Sequence, residues 1–296
     1  RSSARQASRS RAGIASRIIT AATSFFDIST DGMEPARDWR PRNYDKQSRG
    51  LVRVRRAMAL SLNTIPVRVY EKIGGQRIAA FASAMMGIPR ERFQIDPTLA
   101  LGTTEVTPLE LARGAAVYAS GGLDVVPRAM VRVQDRYGKI IDQAPPAGSA
   151  PGKRLISKGT AFIMTSLMRE VVESGTASFA IRRVAGFRLP AAGKTGTNTA
   201  FRDAWFVGFT PTLVAVVWVG CDIPRFSLGY GQSGASAAAP LWGRFMQEVR
   251  RHLPPAAFPS QPDEVSRARV CAFTGNRPVR GCPVADEFFL RGTEPR

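Results

Sequence analysis

The 296-residue sequence lacks a hydrophobic run long enough to cross a membrane. Its longest apolar run, residues 213–220, is far shorter than the about 20 residues that a membrane-spanning helix needs. The amino-terminal stretch also lacks the basic, apolar and small-residue parts of a signal peptide. We therefore expect any membrane anchor or export signal to lie in segments absent from this chain.

Histidine and cysteine are too scarce for a typical metal site. A structural zinc site usually takes four Cys or His ligands, but the only histidine, His252, follows two arginines at the end of an expected helix, and Cys221 stands alone. Cys271 and Cys282 lie in a Gly- and Pro-rich tail at a spacing that suits one disulfide in an oxidising compartment, and the sequence leaves this pairing open. We expect neither a metal nor another cofactor.

Acidic residues are few beside basic ones. The chain has 23 Asp and Glu against 42 Lys and Arg, which gives a formal net charge of +19. Only six of the basic residues are Lys, and the Arg residues are scattered, whereas nucleic-acid-binding surfaces cluster basic side chains and release counterions from phosphate. The composition predicts a solvated basic surface, with attraction to anionic lipid headgroups or an acidic polymer as the alternative. We expect no specific nucleic-acid partner.

Composition divides the chain into three parts. Residues 1–37 open with five Arg and no acid in the first 20 positions, which predicts a basic arm that is disordered or aberrant. Residues 38–253 carry the periodic patterns of a folded domain, and residues 254–296 form a Pro- and Gly-rich extension that contains Cys271 and Cys282. One globular domain is therefore expected at residues 38–253.

Helical patterns dominate the first half of this domain. Residues 50–61 are Arg-rich and helical in period, and residues 108–120 form a helix whose start is marked by a capping box of Thr107 and Glu110. Two further amphipathic stretches, residues 157–172 and 240–251, complete the expected helices.

The pattern changes from helical to extended after residue 173. Residues 203–209 and 213–220 are rich in β-branched and aromatic side chains, and a short Thr-Pro connection separates them, which is typical of an antiparallel hairpin. Helices followed by strands and another helix predict an α+β fold, in which an antiparallel sheet is packed with helices.

The segment Lys194-Thr195-Gly196-Thr197 leads into this hairpin and follows small residues. Small neighbours let a substrate backbone come close. A strand at this place can pair with an extended peptide, while the Lys194 ammonium and the threonine hydroxyls meet a carboxylate. As a tetrapeptide on its own, the segment is weak evidence for a binding site.

A phosphate-binding loop is the competing interpretation, because residues 193–195 match its last three positions. That loop needs four residues between its two glycines, whereas six residues separate Gly186 from Gly193 and Pro190 lies among them. A strand rather than a helix is also expected next. We therefore set nucleotide binding aside.

Ser61 and Asn63 follow the expected helix of residues 50–61. A hydroxyl and an amide two residues apart in an irregular turn can point into one cleft, where they relay a proton and hold a substrate carbonyl. The plainer alternative is that Ser and Asn end helices for local hydrogen-bonding reasons. Ser61 and Asn63 indicate a catalytic site only if a second motif of the same site occurs elsewhere in the sequence.

Together the two motifs resemble a known set. Ser-x-x-Lys, Ser-Asp-Asn and Lys-Thr-Gly mark penicillin-binding proteins and class A β-lactamases in this chain order, and the segments at Ser61 and Lys194 resemble the second and third members. The resemblance runs from about Trp39 to the carboxyl terminus and implies the penicillin-binding and β-lactamase-like transpeptidase fold with an incomplete amino-terminal part. Further segments similar to class A, bifunctional penicillin-binding proteins are residues 56–64, 101–110, 203–208 and 292–295.

The resemblance implies serine acyl transfer on wall peptides. In the family, a serine attacks the D-alanyl-D-alanine end of a peptidoglycan stem peptide, and β-lactam antibiotics trap the same serine. By this resemblance Ser61 is the proton relay, Asn63 orients the substrate amide, and Lys194 supports the relay electrostatically.

The same resemblance implies a substrate-binding strand and a set of partners. Thr195, Gly196 and Thr197 are the expected substrate-binding residues, with both hydroxyls on the terminal carboxylate and the Thr197 N–H as half of the oxyanion hole. Expected partners are stem peptides, β-lactams and a cell-wall synthesis complex. The expected location is the periplasmic, extracytoplasmic face of the bacterial inner membrane.

The family's nucleophile is not found. The family places Ser-x-x-Lys some tens of residues before the segment of Trp39, but no lysine precedes Lys46. Ser8 begins only a Ser-x-x-Arg, and an arginine stays protonated and cannot accept the serine proton. The nucleophile is thus unknown, and we expect a D,D-transpeptidase domain that is inactive as given. The alternative is a non-catalytic module of this fold that binds peptides or acts as a scaffold.

Overall fold

The computed structural model describes residues 19–28, 41–145, 152–198, 201–223 and 226–295. Within them, six α-helices pack with four antiparallel sheets, one of three strands and three of two. The expected α+β fold with an antiparallel sheet packed with helices is confirmed. In this described part of the chain, no helix is both long and apolar enough to cross a membrane.

A two-stranded sheet precedes the helices. Strand β1 (Ser24–Asp27) pairs antiparallel with β2 (Gly50–Arg53), and the side chains of Phe25 and Val52 are buried in one apolar cluster. The expectation of a disordered arm over residues 1–37 is wrong for β1. The basic composition of the first 20 positions says nothing about the apolar residues that follow them.

Helices fill most of the chain between β2 and residue 173. The expected helix over residues 50–61 is a strand followed by a helix, because apolar side chains of β2 bury against β1. The capping box is confirmed: Thr107 Oγ1 accepts from the Glu110 amide at 3.2 Å, and the Glu110 carboxylate accepts from the Thr107 amide at 2.7 Å. The helices are α1 (Val54–Leu60), α2 (Thr64–Ile73), α3 (Gly75–Met86), α4 (Pro108–Ala119) and α5 (Lys158–Glu173), with an exposed hairpin of β3 (Arg132–Gln134) and β4 (Ile140–Gln143) before α5.

The central sheet follows α5. Its strands are β5 (Ala192–Thr197), β6 (Ala204–Phe209) and β7 (Val214–Val219), antiparallel and in this order. The register of β6 and β7 confirms the expected hairpin. Strand β5 pairs only with β6 within the described residues, so its other edge is unpaired.

Helices cover both faces of this sheet. Helices α4 and α5 pack on one face, and α6 (Ala239–Val249) packs on the other. Trp242 of α6 is fully buried and meets Phe206 of β6 edge-on, with 5.2 Å between ring centroids. Large aromatic side chains therefore fix α6 against the middle of the sheet.

The carboxy-terminal extension packs on the amino-terminal sheet. Strand β8 (Val265–Cys271) pairs with β9 (Val284–Leu290), and a disulfide joins Cys271 to Cys282 in this hairpin. The Ser24 hydroxyl donates to the carbonyl of Phe273 at 2.8 Å. The extension is thus part of the packed structure around β1.

Glu287 of β9 is buried and joins the extension to the first helix. Its carboxylate accepts hydrogen bonds from Arg53 at 3.0 Å and from Arg55 at 2.6 and 2.9 Å. Arg53 ends β2, and Arg55 lies in the first turn of α1. Arg55 also donates to the Ser166 hydroxyl of α5 at 2.8 Å. One carboxylate therefore fixes the start of α1 beside α5.

Candidate active site

Ser61 lies where helix α1 ends. Its backbone has φ 54° and ψ 46°, in the left-handed region that residues other than glycine seldom adopt. The amides of Ser61 and Leu62 close the helix end on the carbonyls of Met58 and Ala57, at 3.1 and 3.0 Å. This turn points the Ser61 hydroxyl toward strand β5.

Lys194 of β5 contacts that hydroxyl. The Nζ atom donates to Ser61 Oγ at 2.5 Å and to the carbonyl oxygen of Thr195 at 3.0 Å. Burial lowers the pKa of Lys194 to about 8, because the charged ammonium loses solvation. The structure therefore brings together two motifs that lie 133 positions apart.

Thr195 is held from the end of α5. Its hydroxyl lies 2.9 Å from the hydroxyl of Thr176, whose amide donates to the carbonyl of Ala59 in α1 at 3.0 Å. A side chain at Gly175 would clash there, since a Cβ atom would lie 2.5 Å from the Ala59 oxygen. Thr176 was not among the expected site residues, because a Gly-Thr pair after a helix is a common, unspecific signal.

The unpaired edge of β5 presents backbone groups of Thr195 and Thr197. The Asn198 amide donates to the carbonyl of Asp203, just before β6, at 3.2 Å, so alternation turns the amides of Lys194 and Gly196 toward β6. The amides and carbonyls of Thr195 and Thr197 then face the open edge. The bond from Lys194 Nζ to the Thr195 carbonyl lies on this edge.

The segment before α6 covers the end of β5. The Gly234 amide donates to Thr197 Oγ1 at 3.0 Å. A Cβ atom on Gly234 would lie 2.4–2.9 Å from backbone atoms of Gly196 and Trp205, so only glycine permits this approach. Gly234 is not among the site residues that the sequence predicts. The one feature that could have pointed to a close approach of two segments there is the run of small residues from 234 to 239.

Asn63 is engaged by the loop before β2. Its side-chain amide donates to the Arg42 carbonyl at 2.7 Å, and its backbone amide donates to Asn43 Oδ1 at 2.9 Å. In the described part of the chain, no hydrogen bond joins Asn63 to β5. The structure therefore brings Ser61, Lys194 and the residues of β5 together and leaves the Asn63 side chain occupied elsewhere.

A buried carboxylate supports the turn that carries Asn63. The fully buried Asp27 side chain accepts from the Asn43 amide at 2.7 Å and from the Thr64 hydroxyl at 2.6 Å. Asn43 in turn holds the backbone of Asn63. The sequence does not predict a structural role for Asp27, because Asp27 lies in residues 1–37, for which the composition predicts a disordered arm.

This geometry suits chemistry at a carbonyl carbon. A serine hydroxyl beside an amine of lowered pKa can lose its proton to that amine. Backbone N–H groups at an open strand edge can bind an extended peptide and polarise its carbonyl. Among the described residues, no cluster of His, Cys, Asp and Glu has the composition of a metal site.

The family model of the penicillin-binding protein transpeptidase domain matches residues 10–247. The chain belongs to this family. The match includes β1 and begins well before Trp39, where the resemblance was expected to start. The penicillin-binding transpeptidase fold and the family resemblance are thereby confirmed.

Three relatives illustrate how far the likeness extends. Penicillin-binding protein 1A of Aquifex aeolicus is 34% identical over 265 residues, and that of Pseudomonas aeruginosa is 30% identical over 293 residues. These alignments cover 87% and 83% of the chain but 34% and 35% of the relatives, so the chain spans about a third of their length. The solved penicillin-binding protein 1A from Haemophilus influenzae superposes with a TM-score of 0.84 at 26% identity, over 97% of this chain and 47% of that one.

The nucleophile of the penicillin-binding family remains unassigned in this chain. None of the six lysines has a serine three positions before it, so Ser-x-x-Lys is absent from the whole sequence. Ser8 and Trp39 lie outside the described residues.

Proposed function

We propose that this chain is a D,D-transpeptidase domain of the class A penicillin-binding type, with a cleft for D-alanyl-D-alanine stem peptides between Ser61 and β5. The hydrogen bond from Lys194 Nζ to Ser61 Oγ carries this proposal, because it unites two distant motifs at one open strand edge. Membership of the family supplies the reaction class, which is serine acyl transfer.

An extended peptide fits the unpaired edge of β5. The outward backbone groups of Thr195 and Thr197 pair with the peptide, and Gly196 between them adds no side chain. The peptide's terminal carboxylate meets the threonine hydroxyls and the Lys194 ammonium. The Thr197 N–H then serves as half of the oxyanion hole.

Ser61 and Asn63 complete the cleft from the side of α1. Ser61 relays a proton, and Lys194 stabilises the charge that develops on it. Asn63 orients the substrate amide only after it releases the Arg42 carbonyl, to which it now donates at 2.7 Å. Peptide binding is therefore coupled to a rearrangement of this side chain.

A non-catalytic peptide-binding or scaffolding module is the second candidate. The absence of Ser-x-x-Lys from the sequence favours it, because the family's acylation depends on that motif. In both cases this chain is acylated poorly or not at all by penicillin at the family's serine. A scaffold still binds wall peptides and β-lactams reversibly.

The wider setting follows from the family and is likewise proposed. A solved PonA1 protein from Mycobacterium tuberculosis is in complex with penicillin V, and we extend reversible β-lactam binding to this chain. Stem peptides and a cell-wall synthesis complex are the other partners. The proposed site of action is the periplasmic face of the inner membrane.

Peptide titration of the isotope-labelled chain tests the proposal. A peptide ending in D-Ala-D-Ala is expected to shift the amide resonances of residues 194–198, whereas the same peptide ending in L-Ala-L-Ala leaves them in place. Equal shifts with both peptides, or none with either, would refute the cleft assignment.

A matched pair of variants sharpens this test. Thr197→Val removes a hydroxyl expected to meet the carboxylate, and we expect about tenfold weaker peptide binding. Thr212→Val changes an exposed threonine of the β6–β7 turn and serves as the control. Equal affinities of the two variants for the peptide would mean that the peptide's terminal carboxylate does not bind the Thr197 hydroxyl.

A further inference from the structure

The Ser61 hydroxyl has surroundings typical of a nucleophile. It stands on a left-handed turn at the end of a helix, a backbone conformation that residues other than glycine seldom adopt and that often occurs at functional sites. It is half-buried and bonded to the amine of Lys194. We propose that Ser61 itself attacks small activated acyl donors, such as aryl esters, with Lys194 as its base.

The contacts of Lys194 allow its neutral form to act as a base toward an ester, in addition to the role of its ammonium form in peptide binding. Its Nζ atom bonds to the Ser61 hydroxyl and to the Thr195 carbonyl, and within the described residues no carboxylate forms an ion pair with it. Loss of solvation, rather than a neighbouring charge, lowers its pKa to about 8. About half of the molecules therefore hold a neutral amine at a pH near that value.

The edge of β5 supplies the other requirement, which is stabilisation of an oxyanion. The amides of Thr195 and Thr197 face the open edge on which the Lys194 amine also lies. An acyl carbonyl that approaches Ser61 along this edge meets donors that need no rearrangement.

The chemical step balances without a further reactant. The neutral Lys194 amine takes the Ser61 proton, the Ser61 oxygen bonds to the carbonyl carbon, and the bond to the phenolate leaving group breaks. The lysine ammonium returns the proton to the leaving group. Water then cleaves the acyl-Ser61 ester to a carboxylic acid and the free hydroxyl.

This reactivity uses the cleft of the proposed transpeptidase domain but not its peptide ligand. Peptide titration and ester acylation are therefore separate measurements. Loss of peptide binding with retained acylation would refute the proposed function alone, and the reverse result would refute the present proposal alone.

The test is incubation of the whole chain with p-nitrophenyl acetate, followed by mass spectrometry of its peptides. We expect an acetyl group on Ser61, and we expect its rate of formation to rise with pH through about 8 in the unaltered chain. Acetylation confined to surface lysines, or a Ser61 rate independent of pH between 7 and 9, would overturn the proposal.

Matched variants isolate the two partners. Ser61→Ala abolishes the adduct, and Lys194→Met slows it by about 100-fold, which is the usual contribution of a general base. Ser260→Ala and Lys139→Met, both at exposed positions, leave the rate unchanged. Ser61→Cys keeps a nucleophile and restores acetylation, so a folding defect of the alanine variant cannot imitate the result. An unchanged rate in Lys194→Met would overturn the proposal.

Discussion

The carboxylate of Glu287 lies 3.0 Å from the guanidinium of Arg53, although 234 positions separate the two residues in the chain. Both side chains are buried, and Arg55 shares the same carboxylate. Helix α1 begins at this junction and ends at Ser61. The carboxy-terminal hairpin therefore takes part in placing one wall of the cleft.

Glu287→Ala is expected to lower the free energy of unfolding by about 3–5 kcal/mol, because it leaves two arginines buried without their partner. Urea denaturation followed by circular dichroism measures this change. Asp286→Asn in the exposed pair with Arg267 is the control, with an expected change below about 1 kcal/mol. Similar decreases in the free energy of unfolding in both variants would mean that the buried ion pairs of Glu287 stabilise the fold no more than the exposed pair does.

The disulfide is expected to stabilise the hairpin that carries Glu287. Replacing Cys271 and Cys282 by Ala opens a loop with a sequence separation of 11, and the chain-entropy argument predicts a loss of about 2–3 kcal/mol. Thermal unfolding with and without reductant checks this value. Cys221→Ser changes an exposed free cysteine, so its melting temperature should equal that of the unaltered chain.

Lys194 is expected to make stability depend on pH. Its pKa is lowered from 10.5 to about 8 in the folded chain, so between these values the unfolded chain binds more protons and stability rises with pH. Lys194→Met removes this dependence and should stabilise the chain at pH 7 by on the order of 1–2 kcal/mol, after allowance for solvent screening. The advantage of the variant should shrink as pH rises from 8 to 10.5. A constant difference across that window would contradict the buried, desolvated state of this amine.

Gly234→Ala is expected to disturb the substrate strand. A Cβ atom at this position meets the backbone of Gly196 and Trp205 at 2.4–2.9 Å, and such overpacking costs about 1–3 kcal/mol. Amide resonances of β5 should move in this variant. Gly138→Ala lies in the exposed β3–β4 turn, where the glycine has φ +84° and open space around it. This variant measures the loss of folding free energy from backbone strain without any steric clash. Unmoved β5 resonances would show that the segment before α6 does not hold the strand.

Local signals in the sequence were sufficient for several elements. The capping box of Thr107 and Glu110 lies within four consecutive residues, and the β6–β7 hairpin is built from two apolar runs joined by a short turn. The sequence predicts a strand at Lys194 for the same reason, because small residues precede the motif and a hairpin follows it. Each of these predictions rests on residues that are neighbours in sequence.

Apart from the two motifs that the family resemblance joins, the sequence does not predict which distant segments pair. Strand β1 has four residues and pairs with β2, in which Arg53 is the partner of Ser24. Because the partner strand is distant in sequence, the residues next to β1 give no sign of a sheet. Asp27 and Glu287 are charged residues of ordinary appearance, and only their partners across the fold explain why they are buried. The sequence likewise carries no sign that Asn63 donates to the Arg42 carbonyl rather than into the cleft.

The contact between β1 and the carboxy-terminal hairpin has a kinetic consequence. Ser24 reaches Phe273 across 249 positions, and a Cβ atom at Gly275 would collide with the Ala22 carbonyl. Contacts of such high order form late and slow the folding of a domain. During synthesis, the ion pairs at the start of α1 can form only after Glu287 has been made, near the end of the described chain. A proteolytic cut within the β8–β9 hairpin would therefore displace Ser61, at the other end of α1, without changing any residue of the cleft.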